Sequence, residues 1–164
     1  VKGHGGSMRV RSELGSGTTF EIFIPKIDSV QDLESEQSEV LQVSEGKVLF
    51  VEDDLDQLRT VERILTGIGF EVEAISDSSM AASKIASDSN FDLMITDYDM
   101  PGLNGIELVE MVRRWVPELP VIIVSGREDA VGASKGIDTI KKVIIKPYDK
   151  VELASAINLI LHRK

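Results

Sequence analysis

The chain has 164 residues, of which 42% are hydrophobic, and it carries 18 Lys and Arg against 28 Asp and Glu, a formal charge of −10. That apolar share supports a buried core, and the length suits one ordinary domain with an appendage. There is no Cys, which removes disulfides, thiolate metal sites and cysteine nucleophiles; the acidic balance argues against nucleic-acid binding, which needs clustered Lys and Arg; and no apolar run approaches the ~18 residues of a membrane span.

Charge divides the chain into three regions. Residues 1–27 hold four basic and two acidic residues. Within them, Met8, Val10 and Ser12 alternate with Arg9, Arg11 and Glu13. A Gly15-Ser16-Gly17 turn and a β-branched and aromatic run from Thr18 to Ile24 follow, and Pro25 closes the pattern. This predicts a β-hairpin, which belongs to a larger sheet because a lone hairpin is marginal in water. Residues 28–46 hold six acidic residues and no Lys or Arg, with little to bury. They read as a linker, with a short amphipathic helix through Val30, Leu33 and Val40 as the alternative.

From Lys47 the pattern alternates. Apolar strands are expected at Lys47–Val51, Phe70–Ile75, Phe91–Thr96, Pro120–Val124 and Lys142–Ile145. Helical periods follow each: through Leu58, Val61 and Leu65; behind Asp77, which can cap; over Asn104–Trp115; weakly within Arg127–Lys135; and behind Asp149 through Leu161. The central strands are apolar throughout, as when both sheet faces are covered. The fold class is therefore α/β, a doubly wound, flavodoxin-like parallel sheet of five strands in the order 2-1-3-4-5 with five helices, plus the N-terminal hairpin.

The polar residues cluster at strand ends: Glu52-Asp53-Asp54 after the first, Asp97-Tyr98-Asp99 after the third, Ser125-Gly126 after the fourth and Lys146-Pro147 after the fifth. In such sheets the functional crevice lies outside the carboxyl ends of the strands. The strand order makes the first and third strands neighbours and brings Glu52, Asp53 and Asp97 together. Three converging carboxylates repel one another unless a cation intervenes. An all-oxygen set without His or Cys favours a hard ion, Mg²⁺ or Mn²⁺. Each residue alone has a plainer structural use; Asp53 or Asp54 can simply cap the first helix.

Residues 47–164 resemble a response-regulator receiver domain of the chemotaxis-regulator type. The matching segments are Val51-Glu-Asp-Asp54, Asp97-Tyr-Asp-Met-Pro-Gly102 with Asn104-Gly105, Val124-Ser-Gly126 and Lys146-Pro147. The resemblance implies that Asp97 is the phospho-acceptor and that Mg²⁺ is held by Glu52, Asp53, Asp97 and the backbone carbonyl of Asp99. It implies further that Ser125 and Lys146 contact the phosphoryl group, and that the Lys146–Pro147 bond is cis. The implied phosphodonor is a histidine-kinase dimerisation domain or a histidine phosphotransfer protein. Two rivals remain, a degenerate docking module and a haloacid-dehalogenase-type phosphatase using Asp97-x-Asp99.

Residues 1–27, with His4-Gly-Gly6, Gly17-Thr-Thr-Phe20 and Ile24-Pro25, resemble the last hairpin of a histidine-kinase ATP-binding domain. The expected parent is a hybrid sensor histidine kinase, itself free or membrane-anchored. This chain is expected to be a cytoplasmic fragment of it, without the kinase core and without membrane contact of its own. One departure stands out. The family's aromatic residue three before the lysine is Val143 here.

Overall fold

The computed structural model describes residues 7–13, 15, 17–23 and 45–161. The chain divides into two units, up to residue 36 and from residue 37 onward. In the first, β1 (Ser7–Glu13) pairs antiparallel with β2 (Gly17–Phe23). Gly15 and Gly17 take φ of 84° and 100°, which only glycine adopts freely and which closes the turn. Met8 faces Ile22 and Val10 faces Phe20, so these four share one side of the ribbon, with Arg9–Glu21 and Arg11–Thr19 on the other. The four apolar residues are all exposed. The expected end of this hairpin at Pro25 and the linker through residue 44 lie outside the described residues.

The second unit alternates strand and helix. In chain order these are β3 (Lys47–Val51), α1 (Leu55–Gly67), β4 (Glu71–Ile75), α2 (Ser78–Ser87), β5 (Leu93–Asp97), α3 (Gly105–Val112), β6 (Val121–Ser125), α4 (Asp129–Ala133), β7 (Ile140–Ile145) and α5 (Lys150–Leu161). The strands form one parallel sheet, ordered β4-β3-β5-β6-β7, which is the 2-1-3-4-5 order expected.

Strand residues alternate faces, so each apolar strand feeds two cores. Val48, Phe50, Ile95, Ile122 and Ile144 pack under α1 and α5 with Leu58, Leu65 and Ile157. Leu49, Val51, Met94, Val121 and Ile123 pack under α2 and α3 with Ala82, Ile85, Leu108 and Val112. Helix starts are set by side-chain caps. Asp54, not Asp53, caps α1 by accepting from Asp56 and Gln57 N–H. Asp77 accepts from Met80 N–H, and Asp149 from the N–H groups of Val151 and Glu152.

Several boundaries differ from the expectation, and two have a visible cause. Helix α3 stops at Val112, and residues 113–115 form a turn. Pro117 lies just beyond, and the residue before a proline disfavours helix. Strand β7 begins two residues early, at Ile140, because an irregularity opposite Val121–Ile122 absorbs an extra residue: Val121 pairs with Ile140, but Ile122 pairs with Lys142. The weak helix expected within Arg127–Lys135 lies there, at Asp129–Ala133.

Candidate functional site

The strand ends assemble into one crevice. Asp97 and Ser125 are the last residues of β5 and β6. Glu52 follows β3 and Lys146 follows β7. Backbone hydrogen bonds keep the exiting chains in register with their neighbours: Glu52 N–H donates to Ile75, Tyr98 N–H to Val124 and Lys146 N–H to Ser125, the last at 2.7 Å. The side chains therefore leave the sheet at fixed points.

Glu52, Asp53 and Asp97 each bring a carboxylate oxygen within 4.8 Å of the others. Glu52 and Asp97 are buried and Asp53 is exposed. Lys146 Nζ reaches across the crevice to Asp97 Oδ1 at 2.6 Å and Glu52 Oε2 at 2.8 Å. Its bond to Pro147 is cis. Burial opposes the charge on Lys146, but hydrogen bonds to Asp97 and Glu52 outweigh it and hold the ammonium above the usual lysine value. Burial pushes the Glu52 carboxyl up; the Lys146 hydrogen bond opposes this, and the charge of Asp97 adds to it. Three carboxylates against one ammonium leave two negative charges uncompensated in a half-buried site. The donors are all oxygen and one is open to solvent, which fits a hard divalent cation.

The other Asp97 oxygen, Oδ2, accepts from Asp99 N–H at 2.7 Å. The Asp99 carboxylate points elsewhere, 3.8 Å from Arg127. Ser125 lies where the sequence places it, fully buried, but its hydroxyl is engaged in its own turn. It donates to the Arg127 carbonyl at 3.1 Å and accepts from Arg127 N–H at 2.9 Å. A Cβ added at Gly126 would meet nothing within 4 Å.

Two contributors escape a reading by residue type. Arg127 bonds Asp129 and reaches Asp99, so it stands at the mouth of the crevice. Its only sequence signal is its place two residues after Ser125. Gly105 opens α3 with its backbone against the site: an added Cβ would lie 2.4 Å from the Asp97 carbonyl oxygen. The signal here is a glycine directly behind a capping Asn.

Residues 48–158 match the family described as Response regulator receiver domain. The chain belongs to that family. It is a receiver of two-component signalling, a class that works with histidine kinases or phosphotransfer proteins. The receiver is 30% identical over 122 residues to the chemotaxis protein CheY of Pseudomonas aeruginosa, covering 71% of this chain and 97% of that protein. It is 31% identical over 123 residues to the transcriptional regulatory protein PrrA of Mycobacterium leprae, covering 74% of this chain and 52% of PrrA. The sensor protein EvgS of Escherichia coli O157:H7 is 30% identical over 141 residues, 84% of this chain. The chain thus spans about half of PrrA and 12% of EvgS. Among solved structures, the receiver domain protein from Clostridium thermocellum superposes with a TM-score of 0.67 at 27% identity, covering 71% of this chain and 94% of that one. No helix among the described residues is long and apolar enough to cross a membrane.

Proposed function

We propose that this receiver takes a phosphoryl group from a phosphohistidine onto Asp97. The observation that carries the reading is the Lys146–Asp97 contact at 2.6 Å inside a three-carboxylate cluster. In the transfer the P–N bond to imidazole breaks, a P–O bond to Asp97 forms, and the imidazole leaves. Phosphoryl transfer is mostly positioning and charge neutralisation. Asp97 is held on both oxygens, by Lys146 and by Asp99 N–H, so its orientation toward an incoming phosphorus is set in advance. Lys146 is placed to follow the charge as it moves onto the phosphoryl oxygens. Glu52, Asp53, Asp97 and the Asp99 carbonyl would hold Mg²⁺, or Mn²⁺ in its place, which when bound neutralises phosphoryl oxygens. Ser125 would reach the phosphoryl group by giving up its bonds to Arg127.

A groove beside Lys146, lined by Asp54, Thr60, Ile64, Pro147 and Tyr148, suits a helical histidine donor, as on a kinase dimerisation domain or a phosphotransfer protein. The parent reads as a hybrid sensor histidine kinase. Two features support this: the exposed apolar side of the N-terminal hairpin, and the match to a sensor protein over 84% of the chain, more than residues 47–164 can supply.

Labelling with acetyl phosphate and Mg²⁺ tests the site. The wild-type chain should take up phosphoryl stoichiometrically, and Asp97→Asn should take up none while staying folded. Mg²⁺ should raise Tm, because only the folded state assembles the carboxylates, and this rise should shrink sharply in Asp53→Ala. Persistent label in Asp97→Asn, or an equal rise in both proteins, would overturn the assignment.

A further inference from the structure

The site depends on the backbone after Asp97, because Asp99 offers both an amide to Asp97 and, in the reading above, a carbonyl to the metal. What holds that loop from outside is α2. Asp77 caps α2, which fixes the next residue, Ser78, at the first helical position. Ser78 is 3% exposed. Its hydroxyl donates to the Pro101 carbonyl at 3.5 Å and accepts from Leu103 N–H at 3.3 Å. Both contacts are long. They are part-buried, and they join one buried hydroxyl to both sides of a more exposed turn, a carbonyl before it and an amide after it. Between the two contacts, Gly102 turns the chain at φ 81°, and an added Cβ there would lie 3.9 Å from the Ser78 oxygen. Met100 anchors the loop from the other side, packed in the same core as Ala81 and Ala82 of α2. Beside that apolar packing, one hydroxyl ties the loop to α2 across 25 residues of sequence.

We propose that Ser78 is a positioning residue for the receiver site: its hydroxyl clamps Pro101 and Leu103, and so sets where Asp99 presents its backbone to Asp97 and to the cation. The inference rests on the phospho-acceptor reading of Asp97. Ser78 touches none of the reacting groups and acts only through the loop. A merely structural serine would affect melting; a positioning serine also affects metal affinity and transfer rate.

The test compares Ser78→Ala and Ser78→Thr with the wild-type chain. Three quantities are read: amide hydrogen exchange at Leu103, the Mg²⁺ concentration giving half of the thermal shift, and the rate of Asp97 labelling by acetyl phosphate. Ser78→Ala should exchange faster at Leu103 with Ala81 unchanged, need several-fold more Mg²⁺, and label several-fold more slowly. Ser78→Thr, which keeps the hydroxyl, should restore all three. If Ser78→Ala fails to fold, Ser78→Cys takes its place, keeping the volume and weakening the bond. Unchanged exchange at Leu103 would overturn the clamp. Faster exchange with wild-type Mg²⁺ affinity and labelling would reduce Ser78 to a structural residue. Absence of both Mg²⁺ stabilisation and label in the wild-type chain would instead remove the phospho-acceptor reading and the positioning role with it, while Leu103 exchange would still report the clamp.

Discussion

Helices α3 and α4 both start a few residues beyond a strand that ends in a site residue, yet they are held in opposite ways. Before α3, Asn104 accepts from the N–H groups of Ile106 and Glu107, and Glu107 returns a bond to Asn104 N–H. Gly105 then brings the helix backbone onto the Asp97 carbonyl, with its own N–H donating to Tyr98. Before α4, Glu128 is already helical at φ −70° and ψ −24° and makes no side-chain cap. The exposed Arg127–Asp129 pair lies at that start, just after the Ser125–Arg127 turn, and the helix lasts five residues. The side carrying Asp97 is fixed by backbone approach and reciprocal caps. On the other side, the Ser125 hydroxyl holds the backbone of Arg127, but the helix start beyond it has only surface charge, which contributes little. Stiffness is thus concentrated in the helix behind Asp97 and is lower in α4, beyond Ser125.

Substitutions can break this contrast. Gly105→Ala should have the largest effect, since its Cβ has no room beside Asp97. A loss of about 1–3 kcal/mol is expected from forced backbone movement, read as a lower midpoint in denaturant. A wild-type midpoint would mean that α3 can slide away from the strand. Asn104→Ala should cost about 1 kcal/mol through the lost cap, whereas Glu128→Ala should change stability by less than about 0.5 kcal/mol. Equal losses at the two positions would erase the contrast.

On the loose side the sign should reverse. Gly132 lies inside α4 with open space around a hypothetical Cβ. Gly132→Ala should therefore stabilise by roughly 0.5–1 kcal/mol, and destabilisation there would reveal packing against α4. Arg127→Ala should matter least, with a defined pH dependence. The Arg127 hydrogen bond holds the Asp129 carboxyl below its ordinary value of 3.8. With the folded value depressed, the contribution is present above that ordinary value and fades as pH falls through the lowered one. The small Tm difference between wild type and Arg127→Ala at neutral pH should shrink steadily as pH falls below the ordinary carboxyl value. A difference that grew in acid would assign Arg127 another partner.

Much of this was legible from residue order. Five apolar strands spaced by helical periods specify a doubly wound sheet, and that sheet places strand-end residues together, so Glu52, Asp97 and Lys146 meet although Lys146 lies 94 residues from Glu52. Local chemistry gave Asp77 and Asp149 as caps. The rest depends on distance in space, not in sequence. Asp53 and Asp54 are equivalent as letters, and only the angle at which the chain leaves β3 decides which one caps. Ser78 is one of several serines around α2, and nothing nearby says that its partner is a loop 25 residues on. The weakness of α4 was legible too, because Gly132 and Gly136 interrupt a window with little apolar support.

The extra residue in β7 bears on how copies of the chain behave in a crowd. β7 is an outer strand, and an open strand edge can recruit another chain and seed aggregation. Here the ladder is broken between Ile140 and Lys142, and two exposed lysines, Lys141 and Lys142, sit at the break. A bulge twists an edge away from straight pairing, and a charged side chain must be desolvated before a second strand can add. Deleting Lys141 would straighten the strand and remove one of the two charges, leaving an edge that a second strand could join more readily.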